Sequence, residues 1–154
     1  MAFMVHRGDI FHAINRLKKL KMNKRALEVP QHVSAYNIFM KIEANEHNIK
    51  GLMKVFSDMK RVKVEPNEIS YCIVATAHAV ARLYTIAEAY VEGVEKSITG
   101  NNWSTLDILI MLYGYLGKEK GLEKTWQVVQ DLPYVRSKSY VLAIVAFGII
   151  GKLD

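Results

Sequence analysis

The chain has 154 residues, 51% of them hydrophobic and 23% charged, which is enough to bury a modest core and too apolar for extended disorder. A single cysteine, Cys72, excludes an internal disulfide framework and a thiolate-rich metal site, and the five histidines form no i, i+4 pair that could begin a zinc set. The net charge of +6 is uneven: residues 1–30 hold seven Lys/Arg against Asp9 and Glu28, which leaves fourteen basic against thirteen acidic residues in the rest of the chain.

In chain order, "DIFHAINRLKKLK" (9–21) places Ile10, Ala13, Ile14, Leu17 and Leu20 on one face of an amphipathic helix. A second helix opening in "MNKRALEV" meets Pro30 within about two turns, so residues 9–30 read as a truncated first unit. This basic start also has the composition of an organelle transit peptide, and the repeat-helix reading is preferred. From residue 33 a period takes over. "VSAYNIFMKI" (33–42), "EISYCIVATA" (68–77), "WSTLDILIML" (103–112) and "SKSYVLAIVA" (137–146) align so that Tyr36, Tyr71, Leu106 and Tyr140 fall 35, 35 and 34 residues apart. The second half of each unit keeps the same step. Leu52, Ala87 and Leu122, then Phe56, Val91 and Trp126, then Met59, Val94 and Val129 recur every 35 residues, and within a unit they share one helix face.

Each unit therefore predicts helix, short turn, helix. The spans are 34–46 and 49–63, closed at Pro66; 69–81 and 84–98, closed at "TGNN" with Gly100 as a left-handed cap; and 104–116 and 119–132, closed at Pro133. A fourth unit from residue 137 holds one apolar helix, too short to cross a bilayer. The expectation is all-α: a single α-solenoid of stacked helix–turn–helix repeats over residues 1–154, with units at 9–30, 33–67, 68–102, 103–136 and 137–154. Because it starts near a first unit and stops mid-repeat, the chain is expected to be a fragment or shortened form of a longer, organelle-imported protein.

At "SAYNIFM", "LMKVFSDM" and "VEPN", and more loosely at "ISYCIVA" and "STLDILIMLYGYLG", the chain resembles the pentatricopeptide repeat family. "INRLKKLKMNKRALEV" resembles the opening unit of plant P-class members, mitochondrial ones above all, with the chloroplast as the alternative address. The resemblance implies a non-catalytic adaptor that reads single-stranded RNA at about one base per unit. The fifth and last residues of a unit would meet the base edge, and the second residues of neighbouring units would sandwich it. Carried over, the first full unit presents Asn37 and Asn67, a pair implying a pyrimidine, between Ser34 and Ile69. The second unit presents Cys72 and Asn102, and a thiol is a poor base reader. The third presents Asp107 and Arg136, which either pair with each other or face solvent, and the fourth presents Val141, which cannot hydrogen-bond. The position where the family often carries a phosphate-binding lysine falls at Asn45, Val80 and Tyr115, none cationic.

Other signals carry less. "YGYLGKEKG" lacks the spacing and the preceding strand of a phosphate loop, and Gly117 is expected to serve the turn between helices. Cys72 has no activating histidine on its face and is expected to be packed or groove-facing. Tyr84, Tyr90, Tyr113, Tyr115 and Trp126 are expected in the core, with Trp103 as the exception that could stack on a base, and "KRVK" (60–63) on a solvated face. No paired carboxylates, triad or cofactor motif points to an enzyme, a cofactor or a small-molecule substrate. The alternative to RNA binding is a protein-interaction scaffold in a large assembly such as a mitochondrial ribosome, or self-association through Leu142, Ile144, Val145, Phe147 and Ile150 of the terminal helix.

Overall fold

The periodic apolar positions become seven helices in a computed structural model that describes residues 32–151; the truncated first unit at 9–30 lies outside the described residues. The helices are α1 (Val33–Asn45), α2 (Ile49–Arg61), α3 (Glu68–Val80), α4 (Tyr84–Ser97), α5 (Trp103–Leu116), α6 (Glu119–Gln130) and α7 (Ser137–Ile150). Among the described residues there is no strand, and no helix is long and apolar enough to cross a membrane. The fold is all-α, of the helical-solenoid class.

Each turn inside a repeat is closed by one left-handed residue. His47 (φ 54°), Arg82 (φ 61°), Gly117 (φ 66°) and Gly151 (φ 83°) follow the same 35, 35 and 34 spacing as the aromatic and leucine positions. Gly117 thus makes the turn expected of it. Gly100 has φ 140° but is not a helix cap, because α4 ends at Ser97 and is capped by Ile98 in extended conformation.

The chain divides into two compact units, one ending at Pro66 and one beginning at Asn67. In the first, α1 and α2 pack as a hairpin over Tyr36, Met40, Leu52, Phe56 and Met59. In the second, α3, α5 and α7 lie side by side, α4 packs on α3, and α6 packs on α5 and α7. The first helices α3 and α5 bury most of their residues, whereas α7, at the end of the row, buries Ser139, Ala143 and Ala146. The second helix of a repeat buries one stripe: Ala87, Val91 and Val94 on α4, and Leu122, Thr125 and Val129 on α6. Thr125 takes the place expected of Trp126. The indole is only half-buried and meets Tyr140 edge-on, with ring centroids 5.4 Å apart.

The aromatic expectation also needs correction. Tyr113 is buried, but Tyr84 is 46% and Tyr115 56% exposed, and Tyr90 is half-buried. Tyr84 opens a helix and Tyr115 is the last residue but one of another, so both stand at helix ends, away from the buried middle turns. The exposed stripe of α7 is Tyr140, Val141, Ile144, Val145 and Ile149, whereas Leu142, Phe147 and Ile150 pack against the core of the second unit.

Candidate nucleic-acid interface

The side chains singled out for base contact stand at or just before the N-terminal ends of their helices, α1 in the first unit and α3, α5 and α7 in the second, where backbone N–H groups lack helical partners. Exposure there follows the repeat. The second residues Ser34, Ile69, Ser104 and Lys138 are all exposed, whereas the fifth residues Asn37, Cys72 and Asp107 are all buried. At the fifth place of the fourth unit Val141 is exposed and apolar.

The last residue of each repeat stands at the N-cap of the next first helix. Asn67 closes a capping box on α3. Its Oδ1 accepts from the Ser70 backbone N–H and from the Ser70 hydroxyl, both at 3.0 Å, and its own N–H donates to Ser70 Oγ at 3.1 Å. Asn102 caps α5 by accepting from the Ser104 N–H at 3.1 Å. It also donates from Nδ2 to Glu68 Oε1 at 2.9 Å, joining the starts of α3 and α5.

Arg136 works differently. It stands before α7 without a capping bond and turns its guanidinium onto Asp107, donating to Oδ2 at 2.8 Å. The other carboxylate oxygen accepts from the Ser139 hydroxyl at 2.7 Å, and the guanidinium lies 4.9 Å from the Trp103 ring centroid. Of the two readings open for Asp107 and Arg136, they pair. Trp103, half-buried, stacks under that cation and stands 5.8 Å from Tyr134.

Cys72 is packed rather than groove-facing. Burial first, and the negative charge of Glu68 second, push its thiol up from 9.0 to about 12, so it stays protonated. At the place of the expected lysine, Asn45, Val80 and Tyr115 are exposed and uncharged. The "KRVK" cations Lys60, Arg61 and Lys63 are exposed at the end of α2, with Arg61 paired to Asp58 at 3.0 Å and Lys60 over Phe56.

Sequence reading passed over Glu68. Its signal is a spacing of 34 residues to Asn102, one short of the period, which sets the first residue of one repeat beside the last residue of the same repeat. Among the described residues no group of three His, Cys, Asp or Glu side chains could hold a metal ion.

Residues 31–79 match the PPR repeat family. Over 137 residues, 89% of this chain, the sequence is 63% identical to a mitochondrial pentatricopeptide repeat-containing protein of Arabidopsis thaliana, covering 26% of that protein. Two further mitochondrial pentatricopeptide repeat-containing proteins of the same plant are 26% identical over 79% of the chain and 25% over 77%, covering 20% of each. The chain thus spans between a fifth and about a quarter of the length of these relatives.

Proposed function

The chain belongs to the pentatricopeptide repeat family, and on that premise we propose that it is a mitochondrial adaptor that holds single-stranded RNA, for transcript processing, stability or translation, without chemistry of its own. The observation that carries this reading is the alternation at the start of each first helix. Exposed second residues (Ile69, Ser104 and Lys138 in the second unit) flank polar groups at the last residue of the repeat before. Bases entering between such residues gain stacking and van der Waals contact, and the polar groups meet their edges.

Asn37 and Asn67 are the base readers in this proposal. Ser34 precedes Asn37 on α1, Ile69 follows Asn67 at the start of α3, and Asn102 holds the place of Asn67 in the next repeat. The Asp107–Arg136 pair is a silent position, since both carboxylate oxygens already accept hydrogen bonds. The test is fluorescence anisotropy against pyrimidine-rich and purine-rich RNAs at low and physiological salt. Asn67 also caps α3, so Asn67→Asp, which keeps an acceptor for the Ser70 N–H, replaces the usual alanine. Combined with Asn37→Ala, it is expected to weaken binding about tenfold and to lose the pyrimidine preference. Equal affinity of variant and parent counts against base reading.

A second reading has its own observation. Val80, Tyr115 and Ile149, at equivalent places on α3, α5 and α7, are 62%, 56% and 47% exposed. An apolar row on neighbouring helices fits a protein partner, and a chain that binds no RNA in the assay favours the scaffold.

A further inference from the structure

Glu68 is the first residue of α3 and only 9% exposed. Its Oε1 accepts from Asn102, but its Oε2 is enclosed and accepts no hydrogen bond among the described residues. A carboxylate oxygen removed from water without a donor bears the full cost of its lost hydration. Asn102 is itself exposed and its Oδ1 is committed to the Ser104 N–H, so its amide runs from the surface down to the carboxylate. Exposed Ile69 and Ser104 stand on the two adjoining helix starts.

This arrangement asks for a donor and refuses an anion. A phosphate seeking the N-termini of α3 and α5 would meet the Glu68 charge, so an RNA strand lying here must present a base. Cytosine, adenine and guanine each carry an exocyclic amino group that a carboxylate can accept from. Uracil has none, and its single ring N–H lies between two carbonyl oxygens that a carboxylate repels.

We infer that Glu68 is the base-reading group of the 68–102 repeat in place of Cys72, reached when the amino group of a base replaces the exposed Asn102 amide as donor to its carboxylate, and that it selects an amino-bearing base against uracil. This rests on the RNA reading proposed above. The test compares oligo(C) with oligo(U) of equal length by anisotropy with the 154-residue chain. Both are pyrimidines, so the preference assigned to Asn37 and Asn67 cancels. The parent chain is expected to prefer oligo(C) by about tenfold. Glu68→Gln keeps an acceptor for Asn102 and puts an N–H2 donor where Oε2 stood, so the ratio is expected to fall to unity or reverse. Cys72→Ser is expected to leave the ratio at the parent value. A parent ratio near one overturns the inference whether or not the Gln variant folds. So does a ratio that Glu68→Gln leaves unchanged or that Cys72→Ser alters. If the parent binds neither oligomer, the RNA reading falls with it; if it binds both equally, only the assignment to Glu68 falls.

Discussion

A single thiol illustrates how burial decides what a residue can do. Cys72 occupies the place where Asn37 and Asp107 stand in neighbouring repeats, and all three are buried, but a thiol carries little hydrogen-bonding capacity to bring there. In the unfolded chain it titrates near 9.0, and in the folded chain near 12, so folding favours the protonated form. That contribution is complete below pH 9.0 and is lost as pH rises towards about 12. At pH 8 the native thiol is expected to react with dithionitrobenzoate about a hundredfold more slowly than in denaturant, because attack requires both opening and ionisation. Rapid stoichiometric labelling of the native chain would show a thiol open to the groove instead. Sequence alone placed these side chains in register and left their commitments undecided. Asn67 was legible as a polar residue before a helix, but not its three bonds with Ser70. Asp107 and Arg136 lie 29 residues apart, and only packing α7 beside α5 brings them together.

Between elements, the spacing was informative because one face of each helix has to find a neighbour. Helix spans read from it differ from those observed by two residues at most. It could not rank neighbours by tightness, and two glycines on α5 and its cap differ in that respect. Gly117 has φ 66° and nothing within 4 Å of an added Cβ, so Gly117→Ala brings only the backbone penalty, about 1 kcal/mol. Gly114 sits inside α5, and its added Cβ would stand 2.9 Å from the Ala146 backbone on α7. Backbone cannot yield as a flexible side chain does. Gly114→Ala is therefore expected to push α5 and α7 apart and to lower stability by about 2–3 kcal/mol in urea unfolding, although alanine is the better helix former. If Gly117→Ala costs as much as Gly114→Ala, the close approach of these helices is not what holds the second unit together.

For the whole chain the relevant quantity is how charge is distributed against the repeat. Residues 31–154 carry fourteen basic and thirteen acidic groups, and the place of the expected lysine holds Asn45, Val80 and Tyr115. The repeats can thus offer base contacts with few phosphate contacts. The excess lies in residues 1–30, where Arg16, Lys18, Lys19, Lys21, Lys24 and Arg25 fall within ten residues of sequence. Binding to single-stranded nucleic acid falls with salt in proportion to the phosphates neutralised, with a log–log slope of about −0.7 for each. If this segment supplies the phosphate contacts, changing Lys18, Lys19 and Lys21 to Gln flattens the slope by about two and weakens binding at low salt, while the oligo(C) to oligo(U) ratio stays at its parent value. A slope unchanged by the three substitutions would mean that phosphates are met elsewhere, with Lys138 at the start of α7 the first cation to substitute next. A slope and a base ratio that move together would mean that affinity and selectivity are not carried by separate parts of the chain, contrary to what its charge distribution implies.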